Sequence, residues 1–103
     1  MILTTTEKIV GREIKETIGL VKGNTIRGKH IGKDIIASLR GIVGGEIKEY
    51  TESLDEARKQ CIERMINNAQ EIGANAVIGV RFTTSQVMPG AAELLVYGTA
   101  VKL

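Results

Sequence analysis

Few side chains here have the chemistry to act on a ligand. There is one cysteine, Cys61, and one histidine, His30. Soft metals are held by several thiolate or imidazole donors, so no Cys/His cluster can form within one chain. Cys61 recurs at helical spacing with Leu54, Ala57 and Met65 on an apolar stripe. Free cysteine is among the most buried residue types, so Cys61 is expected to be a packed, structural thiol. The carboxylates Glu46, Glu49 and Glu52 could serve a hard cation. A solvated helix face with pairs such as Lys48–Glu52 and Asp55–Lys59 explains them more simply.

The densest run of basic residues lies in the glycine-bounded segment from Gly23 to Lys33. It places Arg27, Lys29, His30 and Lys33 beside an expected helix start. Free backbone N–H groups and the helix dipole favour an anion there, so Arg27, Lys29 and Lys33 are the candidate anion-binding residues. The run is neither a Walker A nor a GxGxxG motif, and an ordinary basic surface loop is the alternative. His30, Asp34 and Ser38 follow at a spacing of four, where Asp34 could orient the imidazole. A triad strung along one exposed helix has no oxyanion hole and no pocket. Asp34 reads better as a helix N-terminal carboxylate, and no catalytic residue is assigned.

The elements that would hold these residues can be read from periodicity. Ile14, Ile18 and Leu20 alternate with Lys15, Thr17 and Gly19, so a strand is predicted within Gly11–Lys22 with those apolar residues facing the core. Glu16 falls on the same face. A β-bulge near Lys15–Thr17 would turn it outward; a buried functional carboxylate is the sharper alternative. Glycines 23, 28 and 32 punctuate a loop. Ile31, Ile35, Ile36, Leu39, Ile42 and Val43 share one helical face, and Gly44-Gly45 ends that helix.

A second helix is predicted over Glu46–Ile72, about 40 Å long, with Gly73 as its C-terminal cap. Ser53-Leu54-Asp55-Glu56 matches a capping box, but the stripe continues upstream through Tyr50 and Ile47 without a phase change, so the longer helix is preferred. Strands are expected over Ala76–Gln86 and Ala92–Leu103. The turn Met88-Pro89-Gly90-Ala91 would join them as a type II turn in an antiparallel hairpin. The expected fold is α+β in the order β-α-α-β-β: a small antiparallel three-stranded sheet with two helices packed on one face, one domain over residues 1–103.

The last strand is apolar on both sides, with Leu94, Val96 and Ala100 one way and Leu95, Tyr97 and Val101 the other. Helices on one face leave the second face of such a sheet wet. Apolar side chains there, and a helix longer than the domain needs, predict self-association.

Composition narrows the function classes. Hydrophobic residues are 43% and charged residues 25% of the chain, an ordinary globular balance. A net charge of +2 is too thin to imply nucleic acid or an anionic membrane, and 3% aromatic residues make no base-stacking platform. No signal-peptide pattern opens the sequence and no run approaches a membrane span. An unpaired cysteine suits a reducing compartment, so a cytoplasmic location is expected.

Four runs carry a family resemblance: Gly11-Arg12-Glu13-Ile14-Lys15, Ile42-Val43-Gly44-Gly45-Glu46, Gly73-Ala74-Asn75-Ala76-Val77 and Tyr97-Gly98-Thr99-Ala100-Val101. Their order and spacing over the whole chain resemble the YbjQ-like family, which is bacterial and archaeal, functionally uncharacterised and provisionally labelled heavy-metal-binding. The resemblance implies a dodecin-like α+β subunit and a ring-shaped homo-oligomer, most simply a pentamer. It supplies no catalytic residues. A metal ion enters by this label alone, although a ring could gather five copies of one ligand at its axis. The chain has no CxxC, no histidine pair and no Met-rich loop. The resulting expectation is a non-enzymatic homo-oligomeric module that holds an unidentified small ligand or metal ion between subunits. The alternative is an enzyme with its site at subunit junctions.

Overall fold

The computed structural model describes residues 1–27 and 48–103. They form β1 (Ile2–Leu3), β2 (Glu16–Arg27), α1 (Lys48–Glu71), β3 (Ala76–Met88) and β4 (Ala91–Lys102). The strands make one sheet in the order β1-β3-β4-β2. β4 is antiparallel to both of its neighbours, and β1 is parallel to β3.

This corrects the expected three-stranded antiparallel sheet with two helices. The sheet is four-stranded and mixed, and the order among the described residues is β-β-α-β-β with one helix. The helix expected over Ile31–Val43 lies outside the described residues. β1 is too short to show a period. It is held by single backbone bonds, Ile2 N–H to Asn75 O at 3.4 Å and Thr4 N–H to Val77 O at 3.0 Å.

The phase of β2 is also corrected. Thr17 pairs with Val101 and Gly19 with Ala100, so Ile18 is an extra residue in the ladder. One extra residue reverses the alternation of every side chain beyond it. Glu16 is exposed, but the bulge lies between Thr17 and Gly19 instead of near Lys15–Thr17, so it is not what turns Glu16 outward. Past the bulge Val21, Gly23 and Thr25 face inward, and Leu20 is 74% exposed instead of joining the core. Nor does Gly23 open a loop, because β2 runs on to Arg27. A Cβ at Gly23 would lie 2.0 Å from the Cys61 carbonyl oxygen and 2.6 Å from the Met65 backbone nitrogen. The glycine lets strand and helix backbones approach closely.

The reading of α1 as the longer helix holds, since it begins at Lys48, upstream of Ser53. Ala57, Cys61, Met65 and Ala69 recur every fourth residue and are fully buried. That spacing keeps one row of a helix facing one surface. The helix ends as its sequence predicts. Gly73 has left-handed geometry, with φ +83°, and its N–H reaches Gln70 O at 3.0 Å while Ala74 N–H reaches Ala69 O at 3.0 Å. These two bonds form a Schellman cap. The β3–β4 hairpin closes through Gly90 at φ 82°, the value that position i+2 of a type II turn requires.

α1 lies across β2 and β4. Its row packs on Val21, Leu94, Val96 and Ala100. Burying a side chain the size of Met65 stabilises the fold by about 1.5–3 kcal/mol. Val101, read from the sequence as facing the wet side, is buried.

Candidate functional site

Three places hold the residues with functional potential. The first surrounds Cys61, on the inner row of α1. The thiol is fully buried and donates a hydrogen bond to the Leu94 carbonyl at 3.4 Å. Burial pushes its pKa up, against the downward pull of the Arg64 guanidinium, a backbone hydrogen bond from Thr25, and Arg27; Glu93 adds to the rise. This is the packed thiol expected from the sequence.

The second is the end of β2. Arg27 sits on the strand's last turn of pleat, half-buried, not in a loop. Its Nη2 donates to Gln60 Oε1 at 3.2 Å on α1, and its Nε is buried with no hydrogen-bond partner among the described residues. Lys29, His30, Lys33, Asp34, Ser38 and Glu46 lie outside the described residues, as does the side chain of Glu49. Glu52 is exposed. Asp55 pairs with Arg58 at 3.0 Å instead of with Lys59, both partners solvated. Such exposed pairs are worth little.

The third is the face of the sheet opposite α1. Register places Lys22, Tyr97 and Arg81 in one row across β2, β4 and β3, with Asn24, Leu95 and Thr83 in the next. Leu20 at 74%, Ile26 at 59% and Tyr97 at 38% exposure are large apolar groups left on this face. Leu95 is half-buried. Polar contacts lie among them: Asn24 Nδ2 donates to Glu93 Oε2 at 3.1 Å, and Arg81 Nη1 to Thr5 O at 2.8 Å. Sequence reasoning found Leu95 and Tyr97 but missed Leu20 and Ile26, because the bulge had to be placed to the residue before their direction could be known.

The two borders of the sheet differ. On the outer edge of β2, Lys22 N–H donates to Asn68 Oδ1 at 3.3 Å, and Arg64 Nη1 donates to Asn24 O. Two side chains one turn apart on α1 thus occupy edge groups that would otherwise accept another strand. On β3, backbone bonds from Thr4 and Thr6 reach only as far as Val80. From Arg81 to Met88 the residues are all exposed. Phe82 shares the helix side of the sheet with Val96, yet it is 46% exposed, since α1 covers β2 and β4.

A shallow cavity of about 380 Å³ lies under the turn that Ile9 and Arg12 close, lined by Lys8, Ile9, Val10, Arg12, Glu13 and Ile14. It holds neither Cys61 nor Arg27. Among the described residues no three His, Cys, Asp or Glu side chains gather as a metal site would require.

The geometry defines a class: a small two-layer α+β chain with one face closed by a helix and the other left partly apolar. Its fold is shared by a solved protein of unknown function from Pediococcus pentosaceus, of the DUF74 family, with a TM-score of 0.67 at 16% identity over 100% of this chain and 97% of that one. The family model described as "Putative heavy-metal-binding" matches residues 1–103, and the chain belongs to this family, YbjQ. A UPF0145 protein of Archaeoglobus fulgidus is 61% identical over 103 residues, covering 100% of this chain and 95% of the relative. A UPF0145 protein of Colwellia psychrerythraea is 57% identical over 103 residues, covering 100% and 98%.

Among the described residues the donor set does not fit the heavy metal in that description. One buried thiol with its proton spent on a carbonyl offers a soft ion neither several ligands nor a way in. No helix among the described residues is long and apolar enough to cross a membrane.

Proposed function

We propose that this chain is a non-catalytic, self-assembling cytoplasmic module, a homopentamer as its family resemblance implies, with any small ligand held between subunits. The observation that carries this reading is the open sheet face, where Leu20, Ile26 and Tyr97 stand exposed. A monomer gains nothing from leaving them in water, and covering the part of each still exposed would contribute a fraction of the about 1.5–3 kcal/mol that full burial of a large apolar side chain supplies. A closed ring of identical copies is a common way to cover such a face. An ordinary contact of roughly 800 Å² per partner is large enough.

Light scattering on purified, untagged protein tests this. A mass of five chains is expected, and a mass of one chain at micromolar concentration refutes assembly. A dimer or hexamer refutes only the number. The double variant Leu20→Glu/Tyr97→Glu is expected to fold and to lose the assembled mass, because charges would be stranded in an apolar contact. An unchanged mass would move the interface away from this face.

A further inference from the structure

We infer that Cys61 is a packing thiol and not a metal ligand, in the single chain and in any ring of its copies, so the folded protein takes up no thiophilic metal ion through a thiolate. Cys61 is the only cysteine among the 103 residues, so every thiolate site must use it. A site shared between subunits needs its ligand on a subunit surface. Cys61 is fully buried between α1 and the sheet, so symmetry cannot bring copies of it to an axis.

The thiol rests on the Leu94 carbonyl of β4 at 3.4 Å, and on the other side of α1's seat on the sheet, β2 packs tightly against the helix backbone. The Gly23 backbone passes so near that one added carbon would collide with Cys61 and Met65 main-chain atoms. A thiolate-bound ion needs about 2.3 Å to sulfur and further donors around it. The groups whose charge Cys61 feels are the Arg64 and Arg27 guanidinium groups and one carboxylate, Glu93. Two fixed cations oppose a third. The buried thioether of Met65, one turn along the same row, is as inaccessible as the thiol. Met1 and Met88 are exposed, but Met1 adjoins the start of β3 and Met88 ends it. A strand of this length separates them by about 40 Å.

Titration with Cd²⁺ as probe tests the inference, followed by the near-ultraviolet band of a cadmium–thiolate bond, on folded parent protein and on the same protein in denaturant. The folded protein is expected to show no band, and the unfolded chain a band saturating near one thiolate per chain. A band that grows only as the circular dichroism of the folded state is lost supports the inference. Cd²⁺ binding without the band also supports it, because the ion is then held without the thiolate. A saturable band in protein that stays folded overturns it. The Cys61→Ala variant, where it folds, must match the folded parent; the parent comparison alone decides if it does not.

Discussion

Replacing Gly23 with alanine tests the seating of α1 on β2 at its tightest point. The new Cβ would stand 2.0 Å from the Cys61 carbonyl oxygen, 2.6 Å from the Met65 nitrogen and 3.0 Å from the Arg64 Cβ. The first two are main-chain atoms of a helix and cannot swing aside, so strand and helix must separate by about an ångström. Overpacking of this kind costs about 1–3 kcal/mol and more where backbone has to move. The separation also strains the bonds from Lys22 to Asn68 and from Arg64 to Asn24, each worth about 1 kcal/mol. Against this stands about 0.4–1 kcal/mol from the stiffer unfolded chain. The net loss is about 3 kcal/mol or more, a drop of roughly 12 °C or more in Tm for a domain of this size. Gly98→Ala provides the internal comparison. Its Cβ would meet Val77 Cγ1 at 2.6 Å and the Ile78 carbonyl at 3.0 Å, so part of the clash falls on a side chain and the loss should be smaller. Urea unfolding of both variants measures it. A Gly23→Ala protein within 0.5 kcal/mol of the parent would refute the close approach of α1 and β2.

Two further outcomes follow from the same contacts. Burial raises the Cys61 pKa, so the folded state keeps its proton where the unfolded chain gives it up. The resulting stabilisation is complete below the unfolded thiol pKa and is lost as pH rises through the folded one. The gap in urea midpoint between parent and Cys61→Ala should therefore narrow or reverse at alkaline pH, and a gap independent of pH would contradict the buried neutral thiol. For the sheet border, Asn68→Ala with Arg64→Ala should speed amide exchange at Lys22 several-fold while leaving β4 protected. Unchanged exchange at Lys22 would show that these side chains do not guard the edge.

Much of the fold is legible in the residues, and what is not has identifiable causes. The stripe Leu54, Ala57, Cys61, Met65 locates α1 and the burial of the thiol, because a four-residue spacing admits one facing row. Gly73 and the Pro89-Gly90 pair mark a helix end and a hairpin turn, since each needs a backbone conformation that glycine adopts readily. β1 is illegible because two residues carry no period and its pairing with Ala76 and Val77 is long-range. Gly23 misleads because glycine signals either a turn or a close backbone approach, and only the position of α1 distinguishes them. Arg27 is read as part of a loop for the same reason. The burial of Cys61 is read correctly from the sequence, whereas the open face is half seen.

That half-seen face turns on a single residue. Without the bulge at Thr17–Gly19, the even-numbered residues of β2 would continue to face α1, placing Leu20, Lys22, Asn24 and Ile26 beneath the helix. With it, Val21, Gly23 and Thr25 lie there. These are smaller, and Gly23 admits the helix backbone directly. The bulge also keeps a lysine and an asparagine out of the core, where each would need a partner or incur a desolvation cost. The shift sends Leu20 and Ile26 outward beside Tyr97. Close helix packing and an apolar open face therefore have one origin, and a variant that moved the bulge would disturb both. Deleting Ile18 should leave Thr17 on Val101 and Gly19 on Ala100 in a regular ladder, with Val21, Gly23 and Thr25 still beneath α1, and should cost no more than the loss of one partly buried isoleucine. A deletion variant far less stable than an Ile18→Ala protein would show that Ile18 is not an extra residue in this ladder.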